Sequence, residues 1–581
     1  MQAMDDHDGE SSVDHDEQES GSEPEDQEMG SSGEQDEIEE LEPDSEPKMK
    51  SGAKRNADRD QQKNLLRERK ARRLHGDVVQ AAHTAWGSES IKSAPVEERV
   101  GRVEAVLDQV QALLSQICVK HDISRLIQSC VKYGSDEQRS LIAGHLKGQV
   151  TTLSINQYSC HVILKLLRYG SKTVQGVIVS ELTGNLAKLA LHRVGFRVVD
   201  LAWRSCCNTQ QKQGMMFEFY GKEHSLFRDK SAEAPSMADV FKSLDETKAA
   251  AFLGSVRMFI DKCILKGTLQ QSLLHSVLRQ YLELADDRDA LIESLKDLSL
   301  QLCATLDGVI ATCIMLDYAS SKQRKSIVKS WKGQIGNMCK DSDGFLAIAK
   351  SLSVLDDTVL LEKSVINEIN AANDIMQCAP GCKLLLQVLA PGEPRYFTSS
   401  EQKILKTVPG TSKKSDDARR QEVLKIILPS LIANLKGNYI MSCMLLRDRI
   451  LGPVFLETVK CAEQFPGTIA DSCTEFVNDL IQRFSDDDLA DLDKGHVIGH
   501  PVGHRIFKTL AISCPITVRP ALVKFCLANI DTIMSSRAVW ILVALAEADE
   551  TFRKAVKPRQ RKFKGAATPG VTKLKEIVSA K

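Results

Sequence analysis

The sequence predicts an all-α solenoid. A five-residue motif recurs at a fixed interval, and apolar residues at helical spacing surround each copy. Ser124-Arg125-Leu126-Ile127-Gln128 is followed thirty-six residues on by Cys160-His161-Val162-Ile163-Leu164, and thirty-six further by Phe196-Arg197-Val198-Val199-Asp200. The same offset carries Tyr133-Gly134-Ser135 onto Tyr169-Gly170-Ser171, and Gly148 onto Gly184. Two aliphatics at fixed offsets, a Tyr-Gly turn, a second apolar helix and a glycine make one helix–turn–helix unit. Such units bury their apolar faces against their neighbours, so the array has no fixed length limit.

In chain order, residues 1–47 hold 20 Asp/Glu and no Lys/Arg, with almost nothing apolar. This composition predicts a disordered acidic tail. Residues 48–75 reverse the sign: 48–73 hold 11 Lys/Arg against 3 acids, ending in Arg67-Glu68-Arg69-Lys70-Ala71-Arg72-Arg73. That stretch reads as a basic arm, for nuclear import or for nucleic acid. The overall net charge of −2 therefore conceals a segregated chain whose remainder, 74–581, stands at +10. Charged surfaces or polyanions are the expected partners.

From Val103 the spacing Val103, Val106, Leu107, Val110, Leu113 and Leu114 predicts a lead-in helix covering the open end of the array. Residues 76–205 then hold the three clear units, with second helices near 122–133, 158–169 and 194–205. Residues 206–390 read as further, degenerate units. Glu223 to Asp239 is a loop or a broken copy, and another unit centres on His275. The motif returns at Val309, with Tyr318, Ser320, Arg324 and Gly333 standing where Tyr133, Ser135, Arg139 and Gly148 stood. Phe345 and Cys382 mark the next copies. Residues 391–420, with Pro391, Pro394, Pro409 and Gly410, read as a mobile insertion. Helices resume over 421–556, and 557–581 is expected to be a basic tail.

The 16 cysteines include no CxxC pair and lie in apolar helical stretches. They read as buried thiols in a reducing compartment. No apolar run reaches the ~18 residues of a membrane span, and the acidic N-terminus has no signal-peptide pattern. The expectation is a soluble intracellular protein without membrane contact. His496, His500 and His504 are spaced by four, but Pro501 and the flanking glycines break the helix that would align them, so no metal site is expected. Cys378 and Cys382 have no second pair for zinc. No phosphate loop, nucleophile elbow or HExxH occurs, and no catalytic residue or cofactor is expected.

Taken together, the motif at Ser124-Arg125-x-x-Gln128, the stretches His121–Gly134, Gln157–Ser171 and Asp307–Ala319, and His500-Pro501-Val502-Gly503-His504 resemble the pumilio (PUF) repeat family. The likeness is nearest to its divergent nucleolar Puf-A/Penguin branch, which carries a C-terminal CPL region. It covers roughly residues 50–581. It implies a right-handed superhelical solenoid of PUF (armadillo-like) repeats, about eleven units in a bent array. It also implies binding of RNA, and also of DNA, with little sequence preference, and a role in ribosome assembly or messenger-RNA repression.

In that family three motif positions face a base. Position two here is Arg125, His161 and Arg197, flat groups suited to stacking or to phosphates. Positions one and five retain an edge-reading pair only in Ser124 and Gln128. Leu164 cannot read an edge, and the later copies at Val309, Phe345 and Cys382 read as packing surfaces. Charge survives in register: Lys132, Arg168 and Arg204 form one column, and His121, Gln157 and Arg193 another. These residues predict a basic ridge that binds phosphates whatever the sequence. A second candidate is Lys322, Lys325, Lys329 and Lys332, at i, i+3, i+7 and i+10 along one helix.

The leading expectation is a monomeric nuclear and nucleolar scaffold that binds structured rRNA or mRNA beside pre-ribosomal assembly factors of the large subunit. The alternatives are a protein-binding helical-repeat adaptor and a translational repressor reading mRNA.

Overall fold

The computed structural model describes residues 75–87, 91–221, 235–372, 374–437, 446–450, 452–486, 496–559 and 568–579. The acidic tail, most of the basic arm, residues 222–234 of the expected loop or broken copy, and residues 560–567 and 580–581 of the basic tail lie outside them. The described residues are helical, with no strand among them.

One class of helix runs through the array in unbroken succession and forms its inner layer. It begins with His121–Tyr133, Ser159–Tyr169 and Phe196–Leu201, the last continued by a π turn to Cys206. It proceeds through Ser272–Leu284, Leu306–Tyr318, Gly344–Val354 and Ala379–Leu389. It ends with Gly452–Glu463, Gly503–Ser513 and Val539–Ala548. Each packs on the next, including across the 202–271 excursion. We number these ten described helices as units one to ten. Being held between neighbours and an outer layer, each buries two faces. Unit one alone buries Ile123, Leu126, Ile127, Cys130 and Val131, where each large aliphatic contributes about 1.5–3 kcal/mol.

Outer helices, such as Asp136–Leu146, Lys172–Leu182 and Ser321–Ser330, start on the Ser of the Tyr-x-Ser turn. Ser135 and Ser320 close capping boxes with Gln138 and Gln323, each such cap contributing about 1 kcal/mol. The coincidence of Arg139 with Arg324 has a physical cause. From the outer helix, Arg139 donates to the carbonyls of Val131 (2.9 Å) and Lys132. Arg324 does the same to Leu316 (2.7 Å) and Asp317 (3.0 Å), and Arg519 to Ala511 (2.9 Å) and Ile512 (3.0 Å). These guanidiniums satisfy the orphan carbonyls that end each inner helix.

The recurrent glycines turn the chain into a short third helix: Gly148, Gly184 and Gly333 have φ of 81°, 93° and 80°, where a side chain is strained. Their freed amides are taken by a carboxylate further along the array. Glu181 accepts from Gly148 (2.8 Å), Glu218 from Gly184, and Glu368 from Gly333 (3.0 Å).

The lead-in helix Val96–Val110 buries Val103, Val106, Leu107 and Val110 and packs on unit one together with Gly76–Trp86. At the far end, the expected basic tail is partly a helix. Pro569–Ser579 buries Val571, Leu574 and Val578 against unit ten, because an array end must be covered.

The expected mobile insertion at 391–420 is instead folded onto the array. Phe397 and Leu405 are buried, and Thr398 caps a helix at Ser399–Leu405 that packs on units five and six. The fully buried Lys350 of unit six donates to the carbonyls of Ile404 (3.2 Å) and Lys406 (2.7 Å) and ion-pairs with Asp317 (2.7 Å). Asp356 holds the amides of Lys413 and Lys414, and buried Arg419 donates to the Lys414 carbonyl (3.0 Å). Prolines and glycines bend the segment, while its alternating apolar residues anchor it.

Among the described residues no helix is long and apolar enough to cross a membrane.

Candidate nucleic-acid interface

The inner helices present their motif positions differently along the array. Position two lies eight residues before the last residue of its helix in units one, two, five and six, at Arg125, His161, Ile310 and Leu346. In units one to three it is open: Arg125 and Arg197 are exposed and His161 is half-buried. Seven residues on, two helical turns and about 10 Å along the axis, stand Lys132, Arg168 and Arg204. Arg168 and Arg204 are exposed, and the Lys132 ammonium lies 5.6 Å from the Tyr133 ring. Arg193, exposed, precedes the helix of unit three. The three segments 121–133, 159–169 and 193–206 carry seven Lys/Arg against Asp122 and Asp200. The seventh cation, Lys165, escaped the period-36 columns because Ser129 and Leu201 occupy its register in the neighbouring units. Its ammonium sits 5.5 Å from the Tyr169 ring.

His161 is where these cations meet. Burial, then the charges of Arg197 and Lys165, lower its pKa below the ordinary 6.5, so it is neutral at pH 7. A neutral imidazole between two cations offers a flat ring and one acceptor nitrogen.

The edge-reading pair does not survive inspection. Ser124 is 1% exposed; its hydroxyl donates to the Tyr158 carbonyl (2.8 Å) and accepts from Gln128 Nε2 (3.1 Å). Position one faces the following unit, so a small polar residue there serves the joint between units. Asp200, at position five of unit three, likewise accepts from the Ser272 amide (2.6 Å) and so caps unit four across the excursion. Ser124 therefore lies in the joint between units, not on the open face, and the Gln128 amide is bonded to Ser124.

Beyond unit three the face closes. Ser276 is buried and bonds Asp307, Ile310 is half-buried, and Leu346 is 2% exposed. Lys383 pairs with Glu401 of the folded 391–420 segment (2.6 Å). That segment lies over the inner face where a base would otherwise sit.

The lysine cluster belongs to another surface. Lys322, Lys325 and Lys329 lie on the outer helix Ser321–Ser330, and Lys332 falls just beyond its end. Lys325 is paired with Asp357 (2.7 Å), leaving Lys322, Lys329 and Lys332 exposed. Neighbouring Arg324 is buried on carbonyls and cannot join them. The lysines and the inner-face cations are not brought together.

Neither metal candidate is assembled among the described residues. His496 Nε2 meets the Phe484 carbonyl (3.2 Å), and His504 Nδ1 meets that of His500 (3.1 Å). Buried thiols such as Cys130 and Cys382 are pushed up to about 12 by desolvation.

Residues 124–146 and 149–183 match the Pumilio-family RNA binding repeat, and residues 380–513 match the CPL (NUC119) domain. The chain thus carries pumilio-type repeats and a CPL domain. Among its relatives is the Pumilio homology domain family member 6 of Schizosaccharomyces pombe, 32% identical over 384 residues, 64% of this chain and 59% of that protein. The protein of the same name from Saccharomyces cerevisiae is 28% identical over 77% of this chain and 68% of its own length. The chain thus aligns with about three fifths of the length of the fission-yeast relative. The crystal structure of human Puf-A superposes with a TM-score of 0.75 at 22% identity, covering 86% of this chain and 99% of that one. Human Puf-A in complex with DNA gives 0.73 at 22% identity, covering 87% and 100%. This agreement establishes the pumilio-type helical solenoid.

Proposed function

We propose that the inner face of units one to three binds nucleic acid, RNA above all and DNA as well, through phosphates and stacking with little regard to sequence. One observation carries the reading: position two and the residue seven beyond it are open, cationic or flat, while position one is buried in units one and two, is a half-buried Phe196 in unit three, and position five is engaged within the stack. Contacts to phosphate fix a strand without reading it, and the groups that would read it are committed elsewhere. The match to RNA-binding repeats and the DNA complex of human Puf-A support the same chemistry. On this reading the protein is a monomeric binding scaffold rather than a catalyst. Its place is the nucleus and nucleolus, where it holds pre-ribosomal RNA of the large subunit beside assembly factors.

The test is salt dependence. Six of these seven cations engaging phosphates of a single strand give a log–log slope of about −4, a loss of a few hundred-fold between 50 and 200 mM salt. Fluorescence anisotropy with unrelated 20-mers should show that slope for each, and Arg125→Glu with Arg197→Glu should lower it by about 1.4. Binding confined to one short sequence motif would refute the proposal.

A further inference from the structure

The same register, continued past the closed middle of the array, opens again at its other end. In unit eight the residue eight before the helix end is Phe455, fully buried. In unit nine it is Arg505, exposed, and in unit ten Trp540, half-buried. A second marker fixes the frame in unit nine. Gly195, Gly308, Gly344 and Gly381 each precede position one, and a Cβ on any of them would press on a carbonyl six residues earlier. Gly503 does the same, its Cβ falling 2.1 Å from the Val497 oxygen. Unit nine therefore carries His504, Arg505 and Lys508 at positions one, two and five.

These side chains form one patch. The Lys508 ammonium lies 5.3 Å from the centre of the Trp540 ring. His504 and His500 both feel the charge of Arg537, His504 also that of Arg505 and Lys508, and His500 that of Arg447. With Nδ1 donating to the His500 carbonyl, the His504 ring leaves Nε2 as an acceptor. Several cations beside a half-open indole make the combination that grips a single strand: charges for the backbone and a ring for a base. An acidic protein segment would use the charges alone, with no need of a half-exposed ring beside them.

We propose that units nine and ten form a second single-stranded nucleic-acid site, separate from that of units one to three, in which Trp540 stacks a base while Arg505 and Lys508 hold its flanking phosphates. This rests on the nucleic-acid reading of the protein, but on different residues.

The experiment uses the full chain, a labelled mixed-sequence RNA 10-mer, and tryptophan fluorescence. Stacking on Trp540 should quench part of the emission on saturation. Trp540→Phe should lose that quench, whereas Arg125→Glu/Arg197→Glu should retain it. Arg505→Glu/Lys508→Glu, both on the surface, should abolish it, weaken the affinity of the Arg125→Glu/Arg197→Glu background about ten-fold and lower its salt slope by about 1.4. If the parent binds RNA and the Arg505/Lys508 variant matches it in quench and affinity, the second site is refuted while the first stands. If the parent binds no RNA at all, both readings fall. If poly-glutamate quenches Trp540 and RNA does not, the patch serves an acidic peptide and the proposal is overturned.

Discussion

Replacing Lys350 by Met tests why the middle of the inner face is closed. The ammonium has three protons and uses all three: one on the Asp317 carboxylate at 2.7 Å, two on the carbonyls of Ile404 and Lys406. Met keeps the stem volume and removes every donor. At 2.7 Å the gross attraction to Asp317 is about 6 kcal/mol at an effective dielectric of 20, part of which offsets desolvation. Breaking one side of a buried pair costs about 3–5 kcal/mol. Asp317 limits the loss by taking a proton, since burial already raises its pKa even with Lys350 beside it. The low end, about 3 kcal/mol, is therefore expected. Two of the three bonds hold the 391–420 segment, while the Asp317 pair joins units five and six, which stay packed through their apolar faces; the loss should therefore appear as local opening, roughly 150-fold faster amide exchange over residues 399–420. The sign with pH follows: with a raised folded pKa, Asp317 is neutral in acid and charged above it, so the defect should shrink as pH falls. Asp317→Asn combined with Lys350→Met should recover much of the protection. Exchange in the Lys350→Met protein within about three-fold of the parent would refute the reasoning.

Two further outcomes follow. Arg324→Ala strips donors from three carbonyls at a 5% exposed position and should cost about 3 kcal/mol by urea unfolding, while Arg168→Ala, fully on the surface, should stay within about 0.5 kcal/mol. His161, held neutral by burial and by Arg197 and Lys165, should take up a proton when phosphates neutralise those cations. RNA affinity should then rise as pH falls from 7.5 to 5.5, and His161→Gln should flatten that rise. In the free protein the same depressed pKa means stability lost as pH falls below 6.5.

Much of the fold was legible because the residues that set it are local. Ser135 with Gln138, the glycines at 148, 184 and 333, and Arg139 with Arg324 must stand at fixed distances from the helices they end or turn, so they repeat in register. The glutamates that receive the glycine amides do not: Glu181, Glu218 and Glu368 sit at unequal separations, because a long side chain absorbs a residue of drift. The insertion misled for a related reason. Its prolines and glycines are visible in sequence, whereas Lys350, which holds it, lies 54 residues from Ile404 and reads as an ordinary surface lysine. At the interface the cationic column was legible, whereas the burial of position one was not. Ser124 carries the right chemistry for a base edge, but position one turns toward the next unit. His504 and Arg505 were hidden in a stretch whose histidine spacing drew attention to metals.

Side chains at the base-facing positions of the repeat are engaged within the stack. Ser124 joins unit one to unit two, Asp200 splices unit three to unit four, and His275 bridges Thr305 and the Leu269 carbonyl. Each occupies a slot from which an orthodox repeat would address a nucleotide, and a side chain turned to its neighbour is not available to a ligand. Any mutational return to sequence selectivity must therefore loosen the stack at the same step. On the proposed reading indifference to sequence is self-locking, because the side chains that would discriminate also hold the stack together.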